Sequence, residues 1–449
     1  MKVELLKSAC VLVEANGVKI LTDPWLVDGE YFGAWAHYPP TDFDPGRFAD
    51  VDFIYISHIH PDHFSRKTLA LLPRHIPVLV HAYASGFLRA NLEGLGFRVV
   101  ELPHNRRSEL KNGVSINILA ADNCDPALCG RFFGCPSGEK TLGSTQIDSL
   151  SVIYDGRHVV LNVNDCPFEL VQASLALVKQ KYPNIDLLLT GYSGAGPYPQ
   201  CFPQLPPAER DRAAAAKKIQ FLDQGERFIA AVQPRYYMPF AGTYVLSGKL
   251  ATLNPHRGVP ELEEACEFFQ RSGSPIDGAR SNCVALSSGG TIDLASGECR
   301  LPHLPADQRA KERYIAEVLA PRPLDYEALP PPSIDELMAV VPKAYERMER
   351  KRRQLGFEAP TRVLVDLGKG TLARLSLAGE GFGFVTEDVL RSEERFVLFR
   401  TDPRLLLWLL QGPRYAHWDN AEIGSHIEFE RRPDVYERGL YRVMCSFHA

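Results

Sequence analysis

The stretch "YISHIHPDHFS", Tyr55–Ser65, crowds His58, His60, Asp62 and His63 into six positions. It continues "DFIYIS", an unbroken apolar run of the kind that forms a fully buried strand. Strand side chains repeat every two residues, so His58 and His60 at a strand end lie on one side of the chain. Pro61 helps break the strand, and Asp62 and His63 follow into the turn. The pattern therefore presents two ligand pairs to two neighbouring ions. Imidazole with carboxylate suits zinc, iron or manganese, and the absence of thiolate argues against a soft structural site. Clustered neutral imidazoles rarely pack without a shared ligand, so histidines without a metal are the weaker reading.

The chain around this stretch has 449 residues, which implies two or three domains at roughly 150 residues each. Its 45% hydrophobic and 23% charged residues fit a soluble globular protein with a sizeable core. A net charge of −5 gives no basic surface for nucleic acid or an anionic membrane, and "ERKRRQ" near 349 reads as a solvated helix face. The N-terminus lacks a basic segment followed by an apolar one, and no apolar run approaches the roughly 18 residues of a membrane span. Ten cysteines are too dilute for a disulfide scaffold. A reducing cytoplasm is the expected compartment.

Short apolar runs alternate with turn signals through the first third. "KVELLKSACVLVEANGVKILTDP" reads as two strands joined through "ANG". "DSLSVIYDGRHVVLNVND" reads as a hairpin turning at "DG". "DLLLTGYSG" is a further strand, and "PAERDRAAAAKKIQFLDQG" is a helix stopped by Gly225. "YYMPFAGTY" and "NCVALSSGGTIDL" close this part, so residues 1–296 read as a sheet-rich α/β layered domain. Residues 297–449 read as a second, α+β region with a lid, pocket or partner-binding role. There Ser333 and Glu336 predict a capped long helix, strands follow, and a helical end lies around "RRPDVYERGLYRVMCSF".

The motifs resemble a known superfamily. "HIHPDH" matches the H-x-H-x-D-H signature of the metallo-β-lactamase fold, "LTDPW" its first motif with Asp23, and "LNVNDC" its later strand ending in a bridging aspartate, Asp165. The resemblance implies the αββα sandwich over 1–296. The stretches "ILTDPWLVDGEYFGAWAHYPP", "DFIYISHIHPDHFSRKTL" and "QPRYYMPFAGTYV" are similar to the metal domain of the CMP-N-acetylneuraminate hydroxylases and to stand-alone diiron monooxygenases of natural-product pathways. That likeness implies His58 and His60 on one ion, Asp62 and His63 on the other, Asp165 between them, and Asp23 orienting a ligand by hydrogen bond. It implies two iron ions with O2 as co-substrate, and hydroxylation of a C–H bond in a small metabolite, free or linked to CoA or a carrier. The chain has no C-x-H pair of the kind a Rieske cluster needs, so electrons are expected from a separate ferredoxin or reductase. The alternative is a dinuclear zinc hydrolase in which Asp62 positions the attacking hydroxide.

Two motif positions depart from the superfamily. The third-motif histidine is absent near Ser144, where Asp148 is the substitute and Asp122 and Asp125 are in reserve. The last-motif histidine is absent from "YYMPFAGTY", and His256 lies off register. A site richer in carboxylate shifts the preference toward a harder metal such as iron. Tyr192 and Tyr198, in the loop "GYSGAGPYPQCFP", read equally as substrate contacts or loop-packing aromatics, with Tyr192 the catalytic candidate beside Asp62. Trp25, Trp35 and Tyr38 read as core or pocket wall. Cys124, Cys129 and Cys135 are read as an insertion, with a metal cluster the lesser alternative.

Overall fold

The structure, a computed structural model, describes residues 1–83, 86–120, 148–242, 244–272 and 282–449. It opens with three antiparallel strands, Lys2–Lys7, Cys10–Ala15 and Val18–Thr22, rather than the two the pattern predicts. The extra reversal sits at Ser8, which adopts φ +48° with no Gly or Pro to announce it.

Two large sheets follow from the apolar runs. The eight-stranded sheet runs, in spatial order, Cys299–Pro302, Leu286–Asp293, Lys2–Lys7, Cys10–Ala15, Val18–Thr22, Phe53–Tyr55, Val78–His81 and Val99–Leu102. The seven-stranded sheet runs Asn282–Cys283, Tyr236–Phe240, Leu187–Gly191, Val159–Asn162, Ser149–Tyr154, Val114–Ala120 and Ser108–Lys111. The predicted hairpin is present, with Ser151 opposite Asn162. Val3, Val13, Ile20 and Tyr55 of the first sheet interdigitate with Ile116, Ile153, Leu187 and Met238 of the second, forming the inner core. The outer face of the first sheet is covered through Phe48, Leu69, Leu88 and Leu92. The outer face of the second is covered through Leu175, Leu222, Phe228 and Phe269. Helix, sheet, sheet and helix therefore stack as the expected αββα layers.

The helix Pro207–Val232 does not stop at Gly225. A Cβ there would lie 2.7 Å from the Phe269 ring and 3.0 Å from the Gly191 carbonyl. This glycine serves close packing, not termination.

Beyond residue 302, the helix Ile334–Leu355 starts at the predicted capping box, with Ser333 Oγ accepting from the Glu336 amide. A five-stranded sheet is ordered Phe382–Thr386, Thr371–Ser376, Arg362–Gly368, Phe396–Arg400 and Glu428–Arg432. The helical end is shorter than expected, Arg438–Met444, because "EFERR" before it pairs as the last strand. A helix that periodicity does not reveal, Trp418–Ile423, precedes that strand. The largest hydrophobic cluster joins Trp25, Tyr31, Trp35 and Phe202 to Leu337, Val363, Leu405 and Trp418. The C-terminal elements thus share one core with the sandwich. Among the described residues, no helix is long and apolar enough to cross a membrane.

Candidate metal centre

Four chain segments deliver carboxylates and imidazoles to one end of the sandwich. Val18–Thr22 and Phe53–Tyr55 are parallel neighbours with Thr22 opposite Tyr55, so Asp23 and Ser57 emerge at the same level. Val159–Asn162 and Ser149–Tyr154 are antiparallel, so Asp165 past one strand's end meets Asp148 before the other's start. Asp23 and Asn164 adopt φ +40° and +46° and turn the chain sharply as it leaves each strand, a conformation Asp and Asn tolerate better than most residues. Ser149 Oγ donates to the Ser57 carbonyl at 2.8 Å and ties the two sheets together at this end.

The turn after Pro61 is closed by the His63 and Phe64 amides, both donating to the His60 carbonyl (3.0 and 2.7 Å). Two ligand groups result. His58, His60 and Asp165 bring donor atoms within 4.8 Å of one another, and so do Asp62, His63 and Asp165. His58 Nε2 lies 3.0 Å from His60 Nδ1 and 3.8 Å from Asp165 Oδ2. His63 Nε2 lies 3.4 Å from the same Asp165 oxygen and 3.7 Å from Asp62 Oδ2. Asp165 is thus shared by both groups, as the resemblance implies. Asp148 Oδ1 is 3.7 Å from His58 Nε2 and is buried with no hydrogen-bond partner among the described residues. A carboxylate oxygen left bare beside an imidazole lone pair is a donor without a recipient, which fits a cation between them.

The outward nitrogens of the rings are held. Asp23, fully buried, accepts from the Ser57 amide and hydroxyl (both 2.7 Å) and lies 3.0 Å from His63 Nδ1. Ser57 Oγ lies 3.0 Å from His58 Nδ1. Fixing Nδ1 on both rings points each Nε2 inward. His60 is turned the other way, with Nδ1 inward and Nε2 3.3 Å from Asp419 Oδ2. Tyr31 Oη donates to Asp62 Oδ1 at 2.5 Å and leaves Oδ2 facing His63.

Charge in the cluster is strongly coupled. Burial pushes the His60 ring down, but the hydrogen bond and charge of Asp419, with Asp148 and Asp62, outweigh it and hold the ring up at about 9. His63 is likewise raised, with Asp165, Asp62 and Asp23 overcoming burial. Burial, reinforced by His63 and His60, lowers His58. Burial raises Asp148 to about 7. A divalent cation held here would replace the protons these groups otherwise share.

Every proposed ligand, His58, His60, Asp62, His63, Asp148 and Asp165, therefore reaches the cluster, and Asp23 stands behind it. Tyr192 is 2% exposed in the core with Leu222 and Phe228, and its ring lies where a Gly242 side chain would project. The tyrosine whose hydroxyl meets a cluster carboxylate is Tyr31. His256 pairs instead with Asp211, 3.3 Å away. Cys124, Cys129, Cys135, Asp122, Asp125 and Ser144 lie outside the described residues. Sequence reading missed Ser57, Tyr31 and Asp419. Ser57 directly precedes the motif and could have been read as a ring support, whereas Asp419 is 359 positions from its partner and carries no local signal.

Residues 2–123 match the family described as "Beta-lactamase superfamily domain". A protein of Mycobacterium tuberculosis (strain ATCC 25618 / H37Rv) described as a Rieske 2Fe-2S iron-sulfur protein is 28% identical over 247 residues, covering 54% of this chain and 44% of that protein. The cytidine monophosphate-N-acetylneuraminic acid hydroxylase of Mus musculus is 24% identical over 257 residues, covering 55% of this chain and 40% of that protein. The match spans less than half the length of either relative. Among solved structures, the isothiocyanate hydrolase from Delia radicum gut bacteria superposes with a TM-score of 0.45 at 13% identity, covering 65% of this chain and 99% of its own. That superposition is too loose to assign chemistry. Residues 2–123 therefore carry a β-lactamase superfamily domain, the chain has the metallo-β-lactamase fold, and the CMP-N-acetylneuraminic acid hydroxylases are among its homologues.

Proposed function

We propose that this protein is a dinuclear non-haem iron monooxygenase that hydroxylates a C–H bond of a small metabolite. The observation that carries the reading is the donor set: three imidazoles and three carboxylates meet around a shared Asp165, with no thiolate among the described residues, and Asp148 stands where the superfamily pattern has a histidine. Such a nitrogen and oxygen set suits iron. His58, His60, Asp148 and Asp165 would hold one ion, and Asp62, His63 and Asp165 the other. When bound, the irons supply O2 activation: with two electrons and two protons, one oxygen atom enters the C–H bond and the other leaves as water.

The chain's own residues do the positioning. Asp23 and Ser57 fix the His58 and His63 rings, Asp419 fixes His60, and Tyr31 fixes Asp62. The C-terminal helix Trp418–Ile423 brings Asp419 against the centre. The hydroxylase named among the relatives supports this chemistry. An external ferredoxin or reductase supplies the electrons, the substrate is free or linked to CoA or a carrier, and the cytoplasm is the working compartment.

Metal analysis with Mössbauer spectroscopy on protein grown with iron tests the reading. Two irons per chain, and O2 uptake on reduction, are expected. Two zincs that exclude iron, with no response to O2 and reductant, would instead establish the zinc hydrolase.

A further inference from the structure

A second cluster adjoins the metal centre through Tyr31. The Tyr31 ring packs against Trp35 with centroids 4.4 Å apart, and Trp35 stacks on Tyr244 at 3.6 Å with the planes 7° apart. A short strand pair, Trp35–Ala36 with Val245–Leu246, fixes this contact. The Arg257 guanidinium lies 4.6 Å from the Tyr244 ring centroid. Trp35 is 2% exposed, and Tyr244 and Arg257 are each 6% exposed.

Each of these three side chains is short of an acceptor. Trp35 Nε1, Tyr244 Oη and Arg257 Nε are buried with no hydrogen-bond partner among the described residues. Arg257 Nη1 donates to the Tyr244 carbonyl at 2.6 Å. Among the described residues, no ion pair or hydrogen bond joins the Arg257 guanidinium to a carboxylate. A buried guanidinium needs a counter-charge, because solvent does not reach it to compensate. The cation–π contact with Tyr244 offsets part of that cost. The chain next to Arg257 packs on a second cation: a Cβ on Gly258 would lie 3.2 Å from the Lys217 Cβ. Lys217 Nζ donates to the Gly196 and Tyr198 carbonyls at 3.3 and 3.0 Å. It too has no carboxylate partner among the described residues. Burial, then the Arg257 charge, lowers its ammonium to about 7.

A guanidinium without a carboxylate partner and three unanswered donors therefore belong to one aromatic stack, beside the residue that holds Asp62. An acceptor that carries negative charge answers all of them, the guanidinium by charge and the indole and phenol by hydrogen bond. Planar guanidinium favours oxyanions that take paired hydrogen bonds. We propose that the Trp35–Tyr244–Arg257 stack binds the anionic oxygen group, carboxylate or phosphate, of the substrate. The inference rests on the centre being the reacting site, and it makes the substrate an acid or a phosphate ester. The anion anchors the molecule at the stack while its reacting carbon lies beyond Tyr31 at the metal centre.

The test is binding without turnover, by isothermal titration of metal-loaded full-length protein with inorganic phosphate and, separately, with benzoate. At least one probe is expected to bind with a dissociation constant below about 10 mM, and which one distinguishes phosphate from carboxylate. Arg257→Gln is expected to weaken that binding about tenfold or more with metal content unchanged. An anion that binds only to the ions is unaffected by Arg257→Gln, so equal binding by the variant overturns the proposal. So does the failure of both probes to bind the wild type. Should Arg257→Gln not fold, Tyr244→Phe removes only the phenol oxygen, and unchanged affinity in that variant is equally fatal. Because no turnover is read, a zinc-loaded hydrolase leaves the anion site standing, and loss of the anion site leaves the iron reading standing.

Discussion

Asp419 gives the sharpest prediction because it joins the C-terminal region to one half of the centre only. His60 presents Nδ1 to His58 and turns Nε2 to Asp419, 3.3 Å away. Asp419→Ala leaves the outward N–H without an acceptor and lets the ring turn. Carboxylates that hold a ligand histidine typically contribute roughly 10- to 100-fold in metal affinity. The 3.3 Å contact is long, and the Asp419 side chain is 45% exposed, so solvent screens it. The low end applies: about tenfold, or about 1.4 kcal/mol, for the ion on His58 and His60. Asp419→Asn keeps the shape and loses the charge, so its cost falls between Ala and wild type. The other ion rests on Asp62, His63 and Asp165, and its affinity is expected to stay within error. Competition against a chromophoric chelator, read as two separate equivalents, measures both. If both ions weaken equally, or neither does, in a variant with wild-type thermal unfolding, Asp419 does not position His60 and the reasoning is wrong.

Tyr31→Phe removes the 2.5 Å hydrogen bond to Asp62, a charge-assisted bond of about 1.5–3 kcal/mol, and should weaken the second ion while sparing the first; the same chelator titration reads it. Burial holds the Glu30 carboxyl up at about 7 from its ordinary 4.5, against the opposing Ser65 hydrogen bond and Lys67 charge. The folded state then keeps a proton that the unfolded chain has lost, so stability falls as pH rises from about 4.5 through about 7. Glu30→Gln is expected to gain about 3 kcal/mol at pH 8 and little near pH 4.5, and equal shifts of Tm at the two pH values would contradict this. Gly225→Ala should cost about 1–3 kcal/mol in urea unfolding, because its Cβ would press on the Phe269 ring and the Gly191 carbonyl; a neutral result would mean the neighbours yield freely.

Much of the centre was legible because its ligands sit where local rules act. Strand period places His58 and His60, the break at Pro61 places Asp62 and His63, and strand ends place Asp23 and Asp165. Asp148 was reachable because the hairpin register that puts Ser151 opposite Asn162 also brings it to the same end. The misses have two physical origins. Ser8 turns the chain with an ordinary residue, and Gly225 continues a helix because Phe269 packs against it; neither depends on intrinsic preference. Asp419, Tyr31 and Arg257 matter through contacts between segments far apart in sequence, which no local pattern encodes. These contacts share a feature. Tyr31 and Trp35 belong to the same core cluster as Trp418, the residue before Asp419. The packing that buries the C-terminal sheet therefore also sets Asp419 against His60 and the aromatic stack against Asp62. A substitution in that shared core, even one far from any ligand, acts on metal affinity and on the anion site together.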